Sequence, residues 1–148
     1  SKNVFSDIIE TDQETGCIYI LRSLSTDPRI SSTKNLYKIG FSTTSVEQRI
    51  QNADQDPTYL MAPVAIVTTF QCFNMNPQRL ERLLHRFLGE SCISIEITDK
   101  SGNKYAPKEW FIAPIEVIEV IINLIISGEI VNYTYDKENE RVVKVNKN

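Results

Sequence analysis

The chain lacks any long apolar run. Its longest candidate, Ile115 to Ile126, is broken by Glu116, Glu119 and Asn123, whereas a bilayer crossing needs roughly 18–20 apolar residues. The sequence therefore predicts no membrane-spanning helix and no membrane partner. The first residues, Ser1 to Asp7, show no basic stretch followed by an apolar one, so no signal peptide is expected. The chain begins without methionine, which points to an excised or processed piece with room for flanking domains. Cysteine is scarce. Cys17, Cys72 and Cys92 are odd in number and widely spaced, which excludes a C-x-x-C zinc pattern and a paired disulfide framework. Cys17 and Cys72 sit in apolar runs and read as buried, reduced thiols, in keeping with a cytoplasmic setting. An excess of positive charge is missing as well. Sixteen Lys and Arg face nineteen Asp and Glu, for a net charge of −3 and a pI near 5.2. That balance argues against a dedicated nucleic-acid binder, because counterion release needs clustered cations. It leaves room for a local basic face. No internal repeat or low-complexity segment is visible.

What is present suits one domain with a single core. The chain has 148 residues, of which 41% are hydrophobic and 24% charged, a globular composition. The expected organisation is a single domain over 1–148, with a motif core at 16–111, an extension at 112–135 and a charged tail at 136–148. Val4, Phe5, Ile8 and Ile9 are placed to dock a short helical turn. Residues 16–22 and 35–41 read as strands. They form a hairpin around a polar connection, Ser23 to Lys34, that is long for its kind. Thr44-Ser45-Val46-Glu47 has the form of a capping box and predicts a helix to about Ala53. Asp54 to Pro63 reads as a loop and Val64 to Cys72 as a third strand. Asn76-Pro77 combines an N-cap with proline at the first helical position, and Gly89 suits the C′ position of that helix. Ile93, Ile95 and Ile97 alternate with polar residues and predict a half-buried strand. Asp99 to Asn103 reads as a turn and Glu109-Trp110-Phe111 as an extended piece. A helix runs from Pro114 to Gly128, apolar almost all round. A strand follows over Ile130 to Tyr135, and Val142 to Val145 is either an edge strand or a frayed tail.

On the helix after Pro77, Leu80, Leu83, Leu84 and Phe87 share one face at spacings of three and four. Glu81 and His85 fall together on its border, one turn apart. Alone, such a pair reads more simply as a solvated i,i+4 contact. In the strands, period two puts Cys17, Tyr19 and Leu21 on one face, and Lys38 and Gly40 on one face of the neighbour. A phenol opposite an ammonium would be biased toward phenolate. Each has a plainer reading, Tyr19 as a half-buried strand residue and Lys38 as a lysine guarding a sheet edge. By the same parity Tyr37 is packed. Arg49 lies beside the apolar stripe of the 45–53 helix. A guanidinium there can grip two phosphate oxygens, although by itself it reads as a surface arginine.

Taken in order, Ile18-Tyr19, Lys38-Ile39-Gly40, Glu47-x-Arg49, the Glu81-x-x-x-His85 helix and Glu109-Trp110-Phe111 resemble the GIY-YIG nucleases over roughly residues 16–111. The nearest branch is the phage and bacterial one with an E-x-x-L-H helix and a later E-W-F. The resemblance implies an α/β fold, a small central antiparallel sheet flanked by helices, which the segment after residue 111 extends with a C-terminal helix and strand. It further implies that Tyr19 acts as general base, directly or through a water, with Lys38 assisting, that Arg49 clamps the phosphate, and that Glu81 binds one divalent metal, Mg2+ or Mn2+. Departures are Cys17 in place of the first-motif glycine, a longer interval from Tyr19 to Lys38, and Ala53 where many relatives carry histidine. His85 is a candidate to supply that imidazole.

The function expected is metal-dependent hydrolysis of DNA, with Arg22, Arg79, Arg82 and Arg86 as candidates for tracking the backbone or, equally, as surface charges. A separate DNA-recognition domain or protein is an expected partner. The alternatives are a catalytically silent nucleic-acid- or protein-binding module of the same fold, and a scaffold that dimerises through the 115–126 helix.

Overall fold

The computed structural model describes residues 15–145. The helical turn expected around Val4, Phe5, Ile8 and Ile9 lies outside them. The elements, in chain order, are β1 (Thr15–Ser23), α1 (Pro28–Ser31), β2 (Leu36–Ser42), α2 (Val46–Arg49), β3 (Val64–Phe73), α3 (Pro77–Leu88), β4 (Ile97–Thr98), β5 (Lys104–Tyr105), β6 (Trp110–Ile112), α4 (Ile115–Ser127), β7 (Tyr133–Asp136) and β8 (Arg141–Lys144). The fold is mixed α/β. A four-stranded sheet has the order β3-β1-β2-β6, with every pairing antiparallel. Two two-stranded hairpins, β4-β5 and β7-β8, stand apart from it.

Strand alternation sends side chains to opposite faces, and the two faces are built differently. On one, Ile18, Ile20, Ile39 and Phe111 pack against Leu80, Leu84 and Leu88 of α3 and Ile118, Ile121, Ile122 and Ile125 of α4. On the other, Tyr19 and Leu21 meet Val46, Ala53 and Tyr59, while Leu36 and Trp110 meet Ile30, Leu60 and Ile97. Among the described residues no helix longer than one turn covers this second face.

The long connection between β1 and β2 is ordered by its own sequence. Asp27 caps α1 by accepting from the Arg29 amide at 2.9 Å, proline stands at its start, and Ile30 is buried beneath it. The helix expected from Thr44 to Ala53 is a single turn. Its N-cap is Ser45, accepting from the Gln48 amide at 3.1 Å, one residue later than expected. Asn52 and Asp54 are poor helix formers, and the chain passes into two 3-10 turns, Ala53–Gln55 and Pro57–Tyr59.

Asn76 and Pro77 begin α3 as anticipated. Gly89 does not end it in a left-handed cap. Its φ is −58° and the chain continues into a 3-10 turn, Gly89–Ser91. The alternation of Ile93, Ile95 and Ile97 survives only as a burial pattern. Pairing is confined to Ile97–Thr98 against Lys104–Tyr105, because Ile93 instead donates its amide to the Trp110 carbonyl at 2.9 Å. α4 ends at Gly128, whose φ of 82° makes the left-handed cap. The strand expected from Ile130 starts only at Tyr133, after a further 3-10 turn. The edge-strand reading of the last segment is the one formed, since β8 pairs with β7.

Candidate active site

A short strand opens the cleft. β6 pairs with Leu36, Tyr37 and Lys38 of β2 only, and its last link is the Ile39 amide donating to the Glu109 carbonyl at 3.1 Å. Beyond that point the pairing stops, and Gly40 and Phe41 border an opening of about 180 Å³. Tyr19, Arg49, Glu81, His85 and Glu109 all line it. Groups from both sides of the sheet thus meet at one interruption of its edge.

Tyr19 arrives from β1. It stands opposite Gly40 in the register, and a Cβ at position 40 would fall 2.3 Å from the Tyr19 Cζ and 2.4 Å from its hydroxyl oxygen. The ring therefore crosses β2 where only glycine leaves space. Arg49, the last residue of α2, lies within electrostatic and hydrogen-bonding reach of the Tyr19 and Tyr59 hydroxyls. From the opposite side, Leu80, Leu84 and Leu88 are buried in the core, which turns Glu81 and His85 toward the opening. Glu81 is exposed and His85 half-buried. The imidazole leans on Phe111, with ring centroids 5.5 Å apart at a tilt of 56°.

The buried phenol is the most perturbed group here. Tyr19 is only 2% exposed, and its hydroxyl lies 3.4 Å from that of Tyr59. Burial, then the Tyr59 hydroxyl, push its pKa well above the ordinary phenol range, and Arg49 pulls the other way without prevailing. At neutral pH Tyr19 is an uncharged phenol.

The expected pairing of Tyr19 with Lys38 does not form. Lys38 shares the face but stands opposite Leu21, one step further along the sheet. It is buried, at 2% exposure, and is absent from the cleft wall. Its ammonium reaches the Glu109 carboxylate at 2.5 Å and lies 5.2 Å from the centroid of the Tyr59 ring. Glu109 is the cleft residue that holds Lys38. Tyr37 packs on the helix side, as parity predicts.

Arg79, Arg82 and Arg86 are exposed on α3, further round the helix from Glu81 and His85. Arg22 is exposed but borders a different depression, with Tyr37 and Asn35, so it is not grouped with the cleft. Tyr59 was not anticipated. Its neighbours Asp56 and Pro57 signal a turn, and nothing in the local sequence says that the following tyrosine meets a residue forty positions earlier.

Among the described residues no group of three or more His, Cys, Asp or Glu is gathered to hold a metal. Zinc, which takes three or four nitrogen and sulfur donors, does not fit. Glu81, an exposed carboxylate lining the same opening as Arg49, has the donor chemistry of Mg2+, which keeps several waters and uses one or two carboxylates.

The T5orf172 domain model matches residues 16–126, more than half of the chain. The chain belongs to the T5orf172 domain family. That match replaces the GIY-YIG assignment drawn from the motifs. The strings behind that assignment are short and individually weak, and their order is not enough to settle a family. Membership of the T5orf172 family points to a nuclease-like or DNA-binding module. The chain is also 49% identical over 123 residues to "Uncharacterized protein YeeC" of Bacillus subtilis (strain 168), a match covering 83% of this chain and 32% of that protein. It thus spans about a third of the length of the curated relative it matches. No solved structure matches it. No helix among the described residues is long and apolar enough to cross a membrane.

Proposed function

We propose that this T5orf172 domain is a metal-dependent endonuclease that hydrolyses DNA phosphodiester bonds at the cleft beside Gly40. The observation that carries this reading is the convergence of Tyr19 and Arg49 with Glu81 and His85 around one opening. A phenol, a guanidinium, a carboxylate and an imidazole can together serve such a reaction, and the fold draws them from two elements of the sheet side and one helix.

Arg49 grips the non-bridging oxygens of the scissile phosphate and offsets the charge that builds on them. The Tyr19 oxygen orients the attacking water by hydrogen bonding. Because it is a neutral phenol, it is poorly suited to serve as the base. His85, half-buried in the lining of the same opening, takes that role, its imidazole nitrogen accepting the proton. As the water oxygen bonds to phosphorus, its proton passes to His85, and the bond to the leaving oxygen breaks. The leaving oxygen then takes a proton from solvent. Glu81 would hold Mg2+ or Mn2+, and the ion when bound supplies Lewis-acid stabilisation of the leaving oxygen. Lys38 acts at one remove, by fixing Glu109 in the cleft wall. Arg79, Arg82 and Arg86 give an acidic protein the local basic strip needed to follow a phosphate backbone. Sequence choice is left to a separate recognition domain or protein, a division supported by the greater length of the Bacillus relative. The setting proposed is the cytoplasm.

The test is cleavage of supercoiled plasmid with Mg2+ or Mn2+ against EDTA, for wild type, Glu81→Ala, Tyr19→Phe and His85→Ala. Metal-dependent nicking that is abolished by Glu81→Ala and strongly reduced in the other two is the expected result. Normal cleavage by His85→Ala removes the assigned base. DNA binding without cleavage by folded wild type, on duplex, branched and single-stranded substrates, makes the domain a binding module.

A further inference from the structure

The Tyr59 hydroxyl has a buried position that hydrophobic packing alone does not account for. Several contacts hold its segment in place. The Asp56 carboxylate accepts from the Thr58 amide at 2.9 Å and from the Thr58 hydroxyl, and the Asp56 carbonyl accepts from the amides of Tyr59 and Met61, both at 3.0 Å. Fully buried Trp110 donates its indole N–H to the Thr58 carbonyl at 3.0 Å. The chain then passes through two consecutive left-handed residues, Leu60 at φ 62° and Met61 at φ 54°, neither of them glycine. Such backbone is costly and persists where the surroundings over-determine it. The outcome is a phenol whose ring lies beneath the Lys38 ammonium and whose hydroxyl faces that of Tyr19.

Tyr59 does not line the cleft, and Tyr19 does. A phenol oxygen has one proton to give and two lone pairs to receive. On its protein side the Tyr19 hydroxyl meets Tyr59, which can accept, and Arg49, which can only donate. With its proton directed to Tyr59, the Tyr19 oxygen presents a lone pair to the opening. The separation of 3.4 Å is long for O–H···O, as hydrogen bonds at catalytic sites often are before substrate binds.

We propose that Tyr59 is a positioning residue that acts through Tyr19, holding the Tyr19 hydroxyl proton away from the cleft so that its oxygen accepts from the attacking water. This rests on the nuclease reading and deepens it. Tyr59→Phe keeps the ring under Lys38 and removes only the hydroxyl. Its kcat on plasmid is expected to fall roughly tenfold, with KM unchanged. Tyr19→Phe/Tyr59→Phe is expected to be no slower than Tyr19→Phe, because a residue that works through another has nothing left to position. Losses that multiply in the double variant, or an unchanged kcat for Tyr59→Phe, overturn the proposal. A second arm does not depend on cleavage. In alkaline titration of tyrosine absorbance, a late-ionising phenol missing from Tyr19→Phe is expected to ionise at lower pH in Tyr59→Phe. If that phenol does not move, the proposal fails even where the nuclease reading stands. If it moves while wild type never cleaves, the nuclease reading fails and the coupling of Tyr59 to Tyr19 stands.

Discussion

The two faces of the sheet solve the burial problem differently. The helix side is covered by two helices of three turns or more and filled almost entirely with Ile, Leu and Phe. The opposite side is covered by one-turn helices, 3-10 turns and irregular chain. It buries a lysine and two tyrosines that share a hydroxyl contact, and it carries a pair of left-handed residues. The first face is a stability device. The second gives up regular packing to hold polar groups at fixed positions near an opening. A single sheet between them lets the rigid side hold the polar side in place.

The largest expected effect should sharpen that contrast. Ile121→Ala, at a fully buried site in the cluster shared by the sheet, α3 and α4, should cost about 2–5 kcal/mol through lost burial and the cavity left behind, read by denaturant unfolding. Next comes Glu109→Gln. It removes the charge that balances buried Lys38, and since the Glu109 side chain is itself half-exposed the cost should be roughly 1–3 kcal/mol. A loss matching that of Ile121→Ala would break the division of labour. A smaller effect appears in alkali. The Tyr19 pKa is raised on folding, so the native state keeps its proton where the unfolded chain has lost it. The contribution is fully present below the ordinary phenol pKa near 10 and is lost as pH rises through the higher native value. Wild type should therefore lose stability above about pH 10 more steeply than Tyr19→Phe, in chemical denaturation across that range. Arg82→Ala should be the mildest, within about 0.5 kcal/mol in stability. It should weaken DNA binding uniformly across sequences and lower the salt slope by about one.

Much of this architecture was legible in order and parity. β1, β2 and β3 announce themselves as runs of β-branched and aromatic residues, and α3 by Asn76-Pro77 together with its leucine spacing. Tyr19, Arg49, Glu81 and His85 do come together at one cleft. Lys38 shows the limit. Its face follows from alternation within its own strand, but its partner depends on register with β1, which the local pattern does not contain. The helix from Thr44 stops early because polar residues after Gln51 favour turns, an outcome the capping motif alone could not reveal. Tyr59 was hidden because its local contacts with Asp56 only make a turn, while the residues it meets, Trp110 through Thr58, Lys38 and Tyr19, are distant in sequence.

The interruption at Ile39 also sets an order of assembly. Tyr19 and Arg49 are synthesised early and α3 later, but the segment that ends the edge of β2 and carries Glu109 comes only at residues 109–112. Strand pairings this far apart in sequence form slowly. A chain still emerging from the ribosome can hold the β1–β2 hairpin, yet it lacks a finished cleft until β6 docks. Whatever chemistry the opening performs is withheld until nearly the whole T5orf172 segment has been made.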